Sequence, residues 1–192
     1  LEVAASGALG AIRHAEIRVL RTRPSVSALP GDWRKDPAVS GGGILVDHGW
    51  HNLYLIRRLL GPRARLVSAL LLPEGAVDET ATALVAAPGA DGVVHLSWRA
   101  SERSNSAFVA GEKGTAELSD DVLELRANGT RETIRFAEKL SAGSAHPEWL
   151  AAMWPAFEAE CAGAGRGGNL AQAAFCLDAI RAAYARREPA RA

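Results

Sequence analysis

Between residues 65 and 136 the sequence places seven short β-like runs, at 65–71, 80–87, 92–99, 106–111, 115–118, 122–126 and 132–136. Only turns separate most of them. Pro88-Gly89, Asp91-Gly92, Gly114 and Asn128-Gly129 mark those turns, because proline presets one backbone angle and glycine freely adopts a positive one. Parallel neighbours need a crossover of a dozen residues or more, so connections this short favour antiparallel pairing. Asn128-Gly129-Thr130 also fits a glycosylation sequon, yet Asn-Gly between two alternating runs is foremost a hairpin signal. A sheet built this way has to bury one face, and the flanking segments must cover it.

Those flanks read as follows. Residues 2–8 resemble a helix end stopped by Gly7 and Gly10, and 12–20 alternates as a strand does. Residues 21–40 contain Pro24, Pro30, Gly31 and Pro37 and read as a long irregular loop, of a length usually reserved for function. A helix is predicted over 41–60, opened by Gly41-Gly42-Gly43 and stopped by Gly61-Pro62. Two more helices are predicted over 147–162 and 169–186, with Trp149, Trp154 and Phe157 at core-like spacing on the first. The fold class is therefore α+β, an open and mainly antiparallel sheet with helices packed on one face. A chain of 192 residues suffices for one such core, so residues 1–192 are read as a single domain. The other sheet face is a natural surface for self-association into a homo-oligomer.

Composition removes several function classes. Lys plus Arg and Asp plus Glu both number 22, and a neutral chain lacks the field that a nucleic acid or a membrane surface would need. No apolar run reaches the ~18 residues of a membrane span. Two cysteines, Cys161 and Cys176, do not make a disulfide framework and are read as free thiols. The expected location is the cytoplasm. The chain starts at Leu1 and its single methionine is Met153, so the sequence is expected to be part of something longer.

Two motifs bear on chemistry. Gly163-Ala164-Gly165-Arg166-Gly167-Gly168 satisfies G-x-G-x-x-G by letter, but a phosphate cradle needs a strand before it and a helix start aimed at the pyrophosphate. Here helical sequence precedes it, and a helix–helix connection is the better reading. The second motif is Asp47-His48-Gly49-Trp50-His51. On a helix Asp47 and His51 lie one turn apart on the same face. Imidazole exchanges protons near neutral pH, and a carboxylate within reach orients it. Spacing alone favours an ordinary surface pair worth a few tenths of a kcal/mol. Gly49 within the predicted helix suggests close approach by another backbone or a ligand. No metal site is expected, since two ligands lack a third.

Trp33-Arg34, Asp36-Pro37, the triple glycine and Asp-x-Gly-x-His follow one another in the order found in one family. With Ser6 to Gly10, Gly111 to Thr115 and Ala182-Ala183-Tyr184, they make the chain resemble the C-terminal domain of the Gfo/Idh/MocA oxidoreductases. These are relatives of glucose–fructose oxidoreductase and inositol dehydrogenase. The resemblance implies an NAD(P)-dependent dehydrogenase acting on a sugar, polyol or related hydroxyl or carbonyl compound. It implies His51 as the proton-transfer residue and Asp47 as the carboxylate that binds substrate and supports it. It also implies that NAD or NADP is held mainly by an N-terminal Rossmann domain not found in these 192 residues, so the chain alone is expected to be inactive. Family members often carry an Asp three residues after the histidine; here that position is Tyr54, a hydrogen-bonding group without charge at neutral pH. Asn52 points about 100° away on a helix and does not replace it.

Trp33, Arg34 and Tyr54 are the candidate substrate-binding residues. His48 is read as facing elsewhere, Trp50 as core, and Arg57, Arg58, Arg63 and Arg65 as a solvated face. The rival reading is a non-catalytic dimerisation or ligand-binding module that keeps the fold without the chemistry.

Overall fold

The structure, a computed structural model, describes residues 1–25, 33–73, 77–142, 147–164 and 168–186. Strand β1 (Ile12–Leu20) lies mid-sheet, because Ala15, Ile17 and Val19 all turn to the same buried side. The others are β2 (Arg65–Leu72), β3 (Thr80–Ala87), β4 (Ala90–Ser97), β5 (Ser104–Gly111), β6 (Gly114–Ser119), β7 (Val122–Ala127) and β8 (Thr130–Arg135). They form one sheet in the order β2-β3-β4-β1-β5-β6-β7-β8. Every pair is antiparallel except β1 with β4, which run parallel. The long stretch of chain between those two provides the crossover that a parallel pair requires. Of the expected turns, those at Pro88-Gly89, Gly114 and Asn128-Gly129 are present, whereas Asp91-Gly92 lies inside β4, paired with His14 and Ala15 of β1. At the β7–β8 hairpin Asn128 and Gly129 both take positive φ, 52° and 77°, the pairing that matches the twist of the strands.

Helices α1 (Glu2–Ala5), α2 (Pro37–Ser40), α3 (Ile44–Asp47), α4 (Gly49–Leu60), α5 (Pro147–Cys161) and α6 (Gly168–Ala185) complete the described elements. α4 and α6 pack on each other and cover β1 to β4 on one face. Leu53 and Ile56 of α4 and Cys176, Ala179, Ile180 and Ala183 of α6 meet Val85, Val94 and Leu96 of the sheet there. Cys161 and Cys176 are free thiols. Among the described residues no helix is long and apolar enough to cross a membrane.

Four expectations need correction. The predicted helix over 41–60 is two helices, broken at His48. α3 is tied at its start to the segment before β3, where the Ile44 amide donates to the Asp78 carbonyl at 2.8 Å, whereas α4 packs on β1 and β4. Within residues 21–40, a 3-10 turn at Trp33–Lys35 and α2 replace irregular loop; residues 26–32 lie outside the described residues. Asp36 caps α2 by accepting the Ala38 amide at 2.9 Å, with Pro37 at the first turn and Gly41 at φ 73° ending it. Trp154 and Phe157, expected in the core, are 51% and 50% exposed and stack on each other, because α5 lies off the sheet; the Trp149 side chain lies outside the described residues. Trp50 is also exposed, since Leu53 and Ile56 set the buried stripe of α4.

Candidate active site

The site begins with a buried carboxylate that sequence reading missed. Asp78 is fully buried and accepts the Gly43 amide at 2.8 Å, the Leu45 amide at 3.0 Å and the Tyr184 hydroxyl at 2.5 Å. It thereby satisfies the free amides at the start of α3 and joins α6 to them. A Cβ on Gly42 would overlap the Tyr184 hydroxyl, and one on Gly43 would overlap Asp78 backbone. Gly42 and Gly43 thus serve close packing at the helix start, whereas a Cβ on Gly41 would meet nothing within 4 Å. Gly49 works differently from the expectation. It opens α4, and a side chain there would meet Leu45 Cδ1 at 2.7 Å, neither backbone nor ligand.

This anchoring presents Asp47 at the end of α3. Its Oδ1 lies 3.4 Å from Arg34 Nε, and its Oδ2 lies 3.5 Å from His48 Nε2. The Arg34 guanidinium sits 4.4 Å from the centre of the Trp33 ring, a cation–π contact. Trp33, Arg34, Asp47, Gly42, Gly43 and Trp98 are among the walls of a small cavity of about 140 Å³. The structure therefore brings three of the predicted site residues together.

His51 stands elsewhere. It lines a second cavity of about 780 Å³ with His48, Asn52, Arg21 and Arg103. Its apolar walls include Val3 of α1, Leu55 and Leu59 of α4, and Val109, Ala116 and Leu123 of β5 to β7. His51 is exposed, and among the described residues no hydrogen bond joins it to Asp47. The imidazole beside Asp47 is that of His48, because the helix break places the two residues at one joint. His48 was read as facing elsewhere; it instead faces both Asp47 and the larger cavity. Burial holds the His48 imidazole below its ordinary value of 6.5, with Asp47 opposing and Arg21, His51 and Arg103 reinforcing the shift.

Asn52 lines the cavity, and its Nδ2 donates to the His48 carbonyl at 2.7 Å. The Tyr54 hydroxyl accepts from Arg58 Nη1 at 3.3 Å, and Tyr54 borders neither cavity. Arg57, read as solvated, donates to the Ala171 carbonyl and lies over the Phe175 ring, pinning α6 to α4. Asp78, Arg21 and Arg103 had no local sequence signal, since their partners are distant in the chain. His48 had one, its place between Asp47 and His51.

Gly163 of the G-x-G-x-x-G stretch follows α5 rather than a strand, and residues 165–167 lie outside the described residues. The described residues therefore lack the strand–turn–helix cradle of a dinucleotide site.

The comparisons with known proteins agree with this architecture. No curated protein matches the chain. Among solved structures, levoglucosan dehydrogenase in complex with NADH matches 97% of this chain and 60% of its own, with a TM-score of 0.72 and 21% identity. KijD10, a 3-ketoreductase from Actinomadura kijaniata in complex with NADP and TDP-benzene, matches 96% of this chain and 56% of its own, with a TM-score of 0.73 and 17% identity. GenD2 from gentamicin A biosynthesis, in complex with NAD, matches 99% and 57%, with a TM-score of 0.72 and 23% identity. The chain thus spans about 60% or less of the length of these three structures. The model of the GFO/IDH/MocA C-terminal domain matches residues 1–117, which include Trp33, Arg34, Asp47 and His51, and the chain belongs to that family.

Proposed function

We propose that this chain is the substrate-binding and proton-transferring half of an NAD(P)-dependent oxidoreductase acting on a sugar, polyol or related hydroxyl or carbonyl compound. The observation that carries the reading is the family match over residues 1–117, which spans Asp47 to His51. The solved relatives that bear NADH, NADP or NAD support the choice of cofactor class.

In this reading His51 moves the proton. Its imidazole takes the hydroxyl proton as the substrate is oxidised and returns it in the reverse direction. Asp47 and Arg34 hold substrate hydroxyls, the carboxylate accepting and the guanidinium donating. The Trp33 ring offers an apolar face to the C–H side of a sugar. Tyr54 meets a substrate only by releasing Arg58. The described residues lack a dinucleotide cradle, and in this reading NAD or NADP is held mainly by a separate Rossmann domain. The uncovered sheet face carries self-association.

The test is turnover of the complete protein with NAD(P) on a panel of sugars and polyols. His51→Ala is expected to lower kcat by about 10²–10⁴, the usual contribution of a positioned acid–base group. Turnover undiminished without His51 overturns the proposal and favours the non-catalytic module.

A further inference from the structure

Arg21 follows β1 directly and is only 9% exposed, yet it lines the larger cavity. Its Nη1 donates to the Leu20 carbonyl at 2.7 Å, the Ser104 carbonyl at 3.3 Å and Asn105 Oδ1 at 2.8 Å. All three acceptors are neutral. Among the described residues its Nε and Nη2 form no hydrogen bond, and no carboxylate forms an ion pair with it. The nearby Asp120 acts on it only through space, with Oδ1 turned to the Asn105 amide at 3.1 Å. A buried cation without an anion is costly. Arg103 lines the same cavity and adds a second positive charge. Against them, the one acidic group among the described lining residues is Glu2.

We propose that this end of the cavity binds an anionic group of the substrate, a carboxylate or a phosphate carried on the sugar-like molecule. Arg21 Nε and Nη2 are the anchoring donors and Arg103 is the supporting cation. The planar guanidinium fork matches either oxyanion in two-point contact. The inference rests on the proposed role of His51 in proton transfer, because His51 and Arg21 line the same cavity. It narrows the substrate class from sugars and polyols in general to acidic or phosphorylated ones.

Calorimetry on the 192-residue chain at low salt tests it, with D-glucose, D-glucuronate and D-glucose 6-phosphate as probes. One charged probe is expected to bind at least about 10-fold more tightly than glucose, as one charge-assisted contact provides. Which one does so separates a carboxylate from a phosphate. Arg21→Gln should erase most of that preference, and Arg21→Lys should keep part of it, retaining charge without the fork. Since Arg21 also braces residues 104 and 105, Arg103→Gln is the second variant, expected to fold and to weaken the preference. Equal binding of the three probes, absence of binding by either charged probe, or a preference untouched in both variants overturns the inference. Anion preference without any NAD(P)-linked turnover of the complete protein sinks the oxidoreductase reading alone; His51-dependent turnover without anion preference sinks this inference alone.

Discussion

At the scale of single residues, the joint between α3 and α4 decides what each titratable group does. Asp78 fixes the start of α3 by filling two orphan amides and binding one hydroxyl. Asp78→Ala takes the shared acceptor from all three donors, leaving the Gly43 amide only the Tyr184 hydroxyl at 3.1 Å, and chemical denaturation should show a loss of about 2–5 kcal/mol. Tyr184→Phe, which removes the hydroxyl's bond to Asp78 and its acceptance of the Gly43 amide at 3.1 Å but leaves Asp78 on both amides, should cost about 1–2 kcal/mol; a loss larger than that of Asp78→Ala would contradict this division. His48 carries the pH dependence of the joint. Its proton affinity is depressed by burial first, so the unfolded chain binds the proton more readily than the folded one. The stability linked to it is therefore full above the ordinary value of 6.5 and is lost as pH falls from there through the depressed folded value. His95 shifts the same way and His14 the opposite way, so the measurement is the difference between wild type and His48→Gln. Denaturation midpoints compared at pH 7.5 and pH 5 should fall less in the variant; an equal fall removes His48 from the account.

At the scale of elements, local rules reached far and then stopped. The hairpins were legible because Asn128-Gly129 and Pro88-Gly89 state their own backbone angles. The strand alternation at Ile12–Leu20 was legible for the same reason, since its buried residues differ in period from a helix. The cap signals of α2 were also present, in Asp36, Pro37 and Gly41, but they were read as loop because the helix is only one turn long. The break at His48 was not legible. The start of α3 is held by Asp78, whose bonds to Gly43 and Leu45 span 35 and 33 residues, and no pattern within the 41–60 window encodes that anchor. The same limit explains α5. Apolar spacing predicted burial for Trp154 and Phe157, and spacing says nothing about whether a partner surface is near. Leu150, Met153, Trp154 and Phe157 are all exposed, and Pro155 interrupts the hydrogen bonding of the helix. Amide exchange of the 192-residue chain should accordingly be much faster across α5 than across residues 176–183 of α6, whose side chains enter the core. Equal protection of the two helices would show that α5 is packed in solution.

At the scale of the whole molecule, one sheet divides the labour. Its half under α4 and α6 holds the core, β5 to β7 form a wall of the larger cavity, and the opposite face is open. That open face carries Leu70 and Leu72 from β2 and Leu84 from β3, all exposed. If it carries self-association, Leu84→Glu should shift the sedimentation of the chain to a smaller species, and a wild-type monomer would contradict the assignment. The family resemblance proved legible in sequence because its motifs run in order along the chain, and the domain model matches residues 1–117. The placement of the two histidines was not legible, because it depends on which of them lies beside Asp47. In the proposed function His51 moves the proton, while His48, 3.5 Å from Asp47, belongs to the joint between α3 and α4. The most direct test of that proposal is kcat of the complete protein measured side by side for His51→Ala and His48→Gln. The account predicts a fall of about 10²–10⁴ for His51→Ala and a much smaller effect for His48→Gln; the reverse ranking, or an unaffected His51→Ala enzyme, would contradict it.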